Sequence, residues 1–211
     1  MFHGPMMSTE EKKNNPPNIK HRLYVLCAIT LLVLPIVGEF ISRAFIPRPL
    51  IDVFQEGWEW QWQVLAGSAY GMGSAWIARE ILRTPAMGGV RRFFSSLLYR
   101  MRLNGFEILL LSFSAGIGEE LLFRGAVQPL LTIWPTAIIF VALHGYLNPY
   151  NWSLTLYGIY MILLSAGLGY LFEYAGIIAA ITAHVVVDII LLYALRHHRL
   201  DPSESGSKAE T

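Results

Sequence analysis

Cysteine is nearly absent: Cys27 is the single one in 211 residues. It can neither close an intrachain disulfide nor supply half of a thiolate metal cluster. It reads as a small apolar residue inside a helix. Charge is also scarce. Asp, Glu, Lys and Arg make up 15% of the chain, where a soluble domain carries about one quarter. The formal net charge of +1 argues against a nucleic-acid partner, which needs a basic patch or stripe. No phosphate loop, adenylate site or internal repeat is visible. The C-terminus shows no C-a-a-X or other lipidation signal. The first apolar run, 23–46, is too long for a signal-peptide core and has no small-x-small cleavage site after it. It is therefore expected to be a retained span.

What is present is apolar surface. Hydrophobic residues are 54% of the chain and the mean hydropathy is +0.44. They are clustered in runs, in a length that suits one domain. The expected fold is all-α: a polytopic transmembrane helix bundle of about six spans, multi-pass in the cell membrane. Polar tails are expected at 1–21 and 200–211, and the transmembrane domain at 22–199.

The spans follow from run length, since about 20 apolar residues cover the ~30 Å hydrocarbon core. They are expected at 23–46, 64–82, 105–131, 136–146, 154–172 and 177–195. The fourth is shorter than a full span and must be packed in protein, extended by its flanks or re-entrant. Trp134-Pro135 is expected to end the third. Trp58, Trp60 and Trp62 read as an interfacial belt. Ala66, Gly67, Ser68, Ala69, Gly71, Gly73, Ser74 and Ala75 predict close helix contact in the second span. Arg79, Arg83, Arg91, Arg92, Arg100 and Arg102 crowd the next polar segment. There, 93–99 reads as a surface-lying helix against anionic headgroups. Lys and Arg gather in the N-terminal tail, the 79–102 loop and the C-terminal end. That bias predicts cytosolic termini.

Few polar groups remain inside the spans: Glu107, Glu119, Glu120, Arg124, His144, His184 and Asp188. Glu107 falls near the cytosolic start of its span, where water can reach it, and Glu39 near the far end of the first. Intramembrane ionisable groups read as functional by default. At 1.5 Å per residue, Glu119 lies about 21 Å from one side, and His144 and His184 about 13 and 12 Å from the other. All three fall within roughly 10 Å of one level. Glu120 and Arg124 are i,i+4 neighbours and can pair, which leaves Glu119 about 100° round the helix. His184 and Asp188 are also i,i+4, as are Phe140 and His144, so the aromatic can pack beneath the imidazole.

A carboxylate beside an imidazole can activate water as a general base. A second histidine, held by a polar residue one turn on, can donate to an oxyanion. Ser112 and Ser114 read as packing residues, so no covalent nucleophile is indicated. Two rivals stay open. Glu119, His144 and His184 also make a His₂Glu set of the kind that holds catalytic zinc, though no His-Glu-x-x-His is present. A proton-coupled transporter or a non-catalytic scaffold would keep the same buried set.

In order, Glu119-Glu120-x-x-x-Arg124, Phe140-x-x-x-His144 and His184-x-x-x-Asp188 resemble the motifs of the CPBP family. These are the CAAX-processing and bacteriocin-processing intramembrane endopeptidases, also called Abi or type II CAAX prenyl endopeptidase-like proteins. The resemblance covers about 105–195. It implies a glutamate-type protease acting on a membrane-associated protein or peptide, with prenylated and leader-bearing substrates both compatible. It implies catalytic Glu119, Glu120, His144, His184 and Asp188, with Arg124 and Phe140 in support and no required cofactor. Glu119 and His144 would activate water. His184 and the residue one turn on would form the oxyanion site. The prenyl-protease branch has Asn at that last position. An ionised Asp188 only accepts hydrogen bonds and is expected to orient His184 instead.

Overall fold

The structure, a computed structural model, describes residues 18–197, and among these every regular element is helical. The order is α1 (Asn18–Phe45), a 3₁₀ turn (Leu50–Gln55), α2 (Trp60–Arg83), a second 3₁₀ turn (Pro85–Met87), α3 (Gly88–Met101) and α4 (Gly105–Leu122). A π-helical turn (Phe123–Val127) then leads into α5 (Gln128–Leu131), α6 (Ile133–Leu143), α7 (Trp152–Ala175) and α8 (Ile177–His197). Residues 18–21, expected in the N-terminal tail, belong to α1. Residues 1–17 and 198–211, with most of both expected tails, lie outside the described residues.

Among the described residues, three helices are long and apolar enough to cross a membrane: Ile19–Phe45, Trp152–Ala175 and Ile177–Arg196. The sequence led us to expect six. α2 has the length, at 24 residues, but carries Gln, Arg, Glu and many small residues. α4 holds three glutamates in 18 residues. α6 has 11 residues, about 16 Å of helix, or half the hydrocarbon core. Large apolar side chains cover the outside, among them Leu32, Phe40, Met72, Trp76 and Leu163. Trp58, Trp60 and Trp62 are all more than half exposed.

α8 is the central helix, with Ala179, Ala180 and Ala183 fully buried. α2 runs along it through its small residues, as expected. A Cβ on Gly71 would stand 2.7 Å from the Ala183 carbonyl oxygen, so only glycine permits this separation. α1 packs on α4.

Capping sets where α4 starts. The Asn104 side chain accepts from the Glu107 backbone N–H at 2.9 Å, and the Glu107 carboxylate accepts from the Asn104 N–H at 2.8 Å. This reciprocal pair satisfies two orphan donors. Glu107 is not solvated as expected. It is 2% exposed, ion-paired to Lys20 of α1, and accepts from the Tyr24 hydroxyl at 3.1 Å. Glu39 is partly exposed, pairs with Arg43 and accepts from the Leu50 N–H at 2.7 Å, which ties the end of α1 to the first 3₁₀ turn.

The helix that starts at Gly105 breaks at Thr132, not at Trp134-Pro135. Thr132 takes φ 67° and ψ 176°, a region costly for any residue with a Cβ. Pro135 sits in the first turn of α6, where its missing N–H costs nothing. α6 ends at Leu143, three residues earlier than expected, with His144 as its C-cap.

Replacing Gly71 with Leu should force α2 from α8 and destabilise the bundle by about 1–3 kcal/mol, seen as a lower melting temperature in detergent. Gly73→Leu is the control. A Cβ at Gly73 meets nothing within 4 Å, and its melting temperature should not move.

Candidate active site

The site grows from the C-terminal half of α4. A Cβ at Gly116 would press on Val185 and Ile181 of α8, and one at Gly118 on the Thr30 carbonyl of α1. These two glycines let α4 sink between its neighbours, so that Glu119 and Glu120 project into the bundle. The chain then widens into the π turn Phe123–Val127, a distortion common at functional sites, and Arg124 lies within it.

Glu120 is fully buried and Arg124 is 1% exposed. Arg124 Nη1 donates to Glu120 Oε1 at 3.1 Å, the pair expected from their spacing. Arg124 Nη2 reaches across to α7, donating to the Ser165 carbonyl at 2.9 Å and to its hydroxyl at 2.7 Å. The same Glu120 Oε1 lies 2.6 Å from His184 Nδ1 on α8. One carboxylate thus binds three helices together. Beneath them lies Phe140 of α6. Its ring centre is 5.1 Å from Arg124 Cζ and 4.4 Å from the His144 ring centre, and it stands nearly perpendicular to the His184 ring at 6.0 Å. Cations over an aromatic face are attracted by its quadrupole.

Glu119 stands apart from this pair. Its Oε2 lies 3.5 Å from His144 Nε2 and 3.9 Å from His184 Nε2. It is buried without a hydrogen-bond partner among the described residues. Both imidazoles are held by their other nitrogen. His144 Nδ1 lies 2.7 Å from the Phe140 carbonyl oxygen, and His184 Nδ1 faces Glu120. Carbonyl and carboxylate oxygens only accept, so both Nδ1 atoms carry the proton. Both Nε2 atoms therefore point into the space that Glu119 faces. Distances of 3.5 and 3.9 Å are too long for direct hydrogen bonds. A bridging water suits such a gap between polar groups. The His144 side chain is 36% exposed and Asp188 30%, so the space opens on that side.

All seven residues singled out from the sequence meet here: Glu119, Glu120, Arg124, Phe140, His144, His184 and Asp188. Asp188 differs in detail. Its Oδ2 is 3.7 Å from His184 Nε2, beyond hydrogen-bond reach, and the bond that fixes the His184 ring comes from Glu120. Ser165 and the π turn were not anticipated. Ser165 lies in a run of small residues that reads as packing, and nothing local announces a π turn. Ser112 and Ser114 are buried in α4, outside the cluster. Among the described residues, no group of three or more His, Cys, Asp or Glu side chains has the geometry to hold a metal ion.

Residues 101–190 match the profile of the family described as type II CAAX prenyl endopeptidase Rce1-like. Residues 101–190 are an Rce1-like domain. All seven site residues and Ser165 fall inside it. The uncharacterized protein YpbD of Bacillus subtilis (strain 168) is a similar protein, 33% identical over 99 residues. That alignment spans 45% of this chain and 50% of YpbD, so the chain matches about half of its relative's length. No solved structure matches. The Rce1-like domain runs from the end of α3 through most of α8. α1, which packs against α4, and α2, which packs against α8, precede it.

The Arg124–Glu120 pair makes a stability prediction. Arg124→Met leaves a buried carboxylate uncompensated and should cost about 3–5 kcal/mol. Adding Glu120→Gln should restore part of that loss, because the stranded charge goes with it. Unfolding titrations of the four proteins of this cycle measure the coupling.

Proposed function

We propose that this chain is an intramembrane endopeptidase that hydrolyses a peptide bond of a membrane-associated protein or peptide with a water activated by Glu119 and His144. The observation that carries this reading is the unpartnered Glu119 Oε2, faced by His144 Nε2 at 3.5 Å and by His184 Nε2 at 3.9 Å. The Rce1-like domain supports it, since that family profile is one of endopeptidases.

In this reading a water sits between the Glu119 carboxylate and His144 Nε2. Glu119 takes one proton as the water oxygen attacks the carbonyl carbon. The oxyanion forms towards His184 Nε2, which donates to it when protonated. Collapse breaks the C–N bond, and the proton held by Glu119 passes to the leaving amine. Glu120 and Arg124 touch no reacting atom here. They hold His184 and tie α4 to Ser165 of α7. Asp188 borders the Nε2 side of His184 at 3.7 Å and adds a negative charge there, while Glu120 fixes the ring. Prenylated and leader-bearing proteins both remain compatible substrates.

Six crossings are part of the proposal: α1, α2, α4 with α5, α6 with the irregular segment 144–151, α7, and α8, with both termini cytosolic in the cell membrane. Irregular backbone is tolerated at membrane depth only where it is buried in protein or lines a watery cavity. Segment 144–151 begins at His144, where water is needed. The Lys/Arg bias of the loops supports the orientation.

Glu119→Gln and His144→Ala should each lower cleavage of a membrane peptide by about 10²–10⁴-fold, with folding intact. His184→Ala should lose about 10²–10³-fold. Full activity in Glu119→Gln would reject the mechanism and favour a scaffold or transporter. A chelator arm with metal analysis tests the zinc variant, and activity lost on chelation and restored by zinc would establish it. The topology has its own test. In a Cys27→Ser background, cysteines placed at Gln55 and Glu173 should react with an impermeant maleimide in intact cells. Cysteines at Lys12, Ser96 and Ser207 should not.

A further inference from the structure

A cavity of about 580 Å³ lies away from the candidate active site, between the end of α2, the start of α3 and the last turns of α8. It shares no residue with that site. Arg79 and Arg83 of α2 border it on one side with Arg91 of α3, and Ile190, Tyr193 and Ala194 of α8 are part of its apolar wall. We propose that this cavity binds an anionic phospholipid, with the headgroup phosphate among the three arginines and an acyl chain along α8. The inference rests on the chain being a membrane protein, not on its being a peptidase.

The charge is one-sided. Among the described residues, no carboxylate lines the cavity. Arg79 and Arg83 are i,i+4 and share a helix face. Arg79 has no hydrogen-bond or ion-pair partner among the described residues. Arg91 Nη1 donates to the Leu82 carbonyl at 2.7 Å, which holds its guanidinium at the rim with further N–H donors left over. Glu80 pairs with Arg83 at 3.0 Å and offsets one of the three charges. A guanidinium cluster presents planar donors that fit phosphate oxygens. A free phosphate would need only the arginines. The apolar wall of Ile190 and Ala194 has no use for it and suits a chain of methylenes. Basic pockets between spans are the usual seat of anionic headgroups, and the volume lies in the range of sites for small organic ligands.

The test uses the full-length protein in nanodiscs holding equal parts phosphatidylglycerol and phosphatidylcholine. Retained lipid is counted by native mass spectrometry after transfer to detergent. Phosphatidylglycerol should be retained over phosphatidylcholine by about tenfold or more, at roughly fivefold per exposed arginine. The triple variant Arg79→Gln, Arg83→Gln, Arg91→Gln should bring the two lipids to parity. Ile190→Trp, which fills the wall and keeps the charges, should also reduce retention. Parity in the unaltered protein, or an unchanged preference in the triple variant, would overturn the proposal. So would displacement of the lipid by glycerol phosphate at equal concentration, because that would mean an anion site without a chain. Should the triple variant fail to fold, a photoactivatable phosphatidylglycerol on the unaltered protein still decides. Crosslinks within 79–91 and 189–195 are expected, and crosslinks confined to other helices would refute the site.

Discussion

Everything around the site depends on how a fully buried carboxylate is kept. Glu120 has no exposure to water, and an isolated charge in such surroundings costs more than a bundle can supply. Its Oε1 meets the Arg124 guanidinium from one side and the His184 imidazole from the other. Arg124 also requires acceptors, and the backbone and hydroxyl of Ser165 provide them. Satisfying one carboxylate therefore sets the relative positions of α4, α7 and α8. Phe140 under the guanidinium adds α6 to the set.

That constraint separates two neighbouring glutamates. About 100° of helix rotation per residue turns Glu120 into protein and Glu119 towards the space beside His144. The first is consumed by structure. Each keeps one oxygen without a partner, but only that of Glu119 lies between two imidazoles whose other nitrogens are already committed, while Glu120 bonds Arg124 and His184 through its other oxygen. Such an arrangement suits a group that must accept a proton during a reaction, because no existing hydrogen bond competes for it. The irregular segment after His144 and the partial exposure of that ring place the open side of the site where the helix ends.

The outer surface obeys a different rule. Its exposed side chains are large and apolar, and its close contacts are made by small residues such as Gly71. In lipid there is no hydrophobic gain from pairing two apolar helices, so tight packing through small residues brings helices together instead. Where that packing leaves a gap between α2, α3 and α8, arginines rim an apolar wall. The gap has the mixed character of a phospholipid itself.

Much of this was legible in the residue order. Apolar runs located α1, α2, α7 and α8 to within about five residues, whereas the third run spans α4, the π turn and α5. The spacing of Glu120 and Arg124, of Phe140 and His144, and of His184 and Asp188 named the site, because i,i+4 neighbours must meet on one face. Other features depend on partners distant in the chain, and local pattern cannot contain them. The burial of Glu107 needs Lys20 and Tyr24 from α1. Ser165 looks like packing until Arg124 arrives from 41 positions away. His184 has an acidic neighbour one turn on, yet it is held by Glu120, 64 positions earlier. The sequence by itself determined which polar residues share a helix face and so which helices carry the site. Only the tertiary structure decided which of them bond to each other, since a buried charge takes the partner that packing brings within reach.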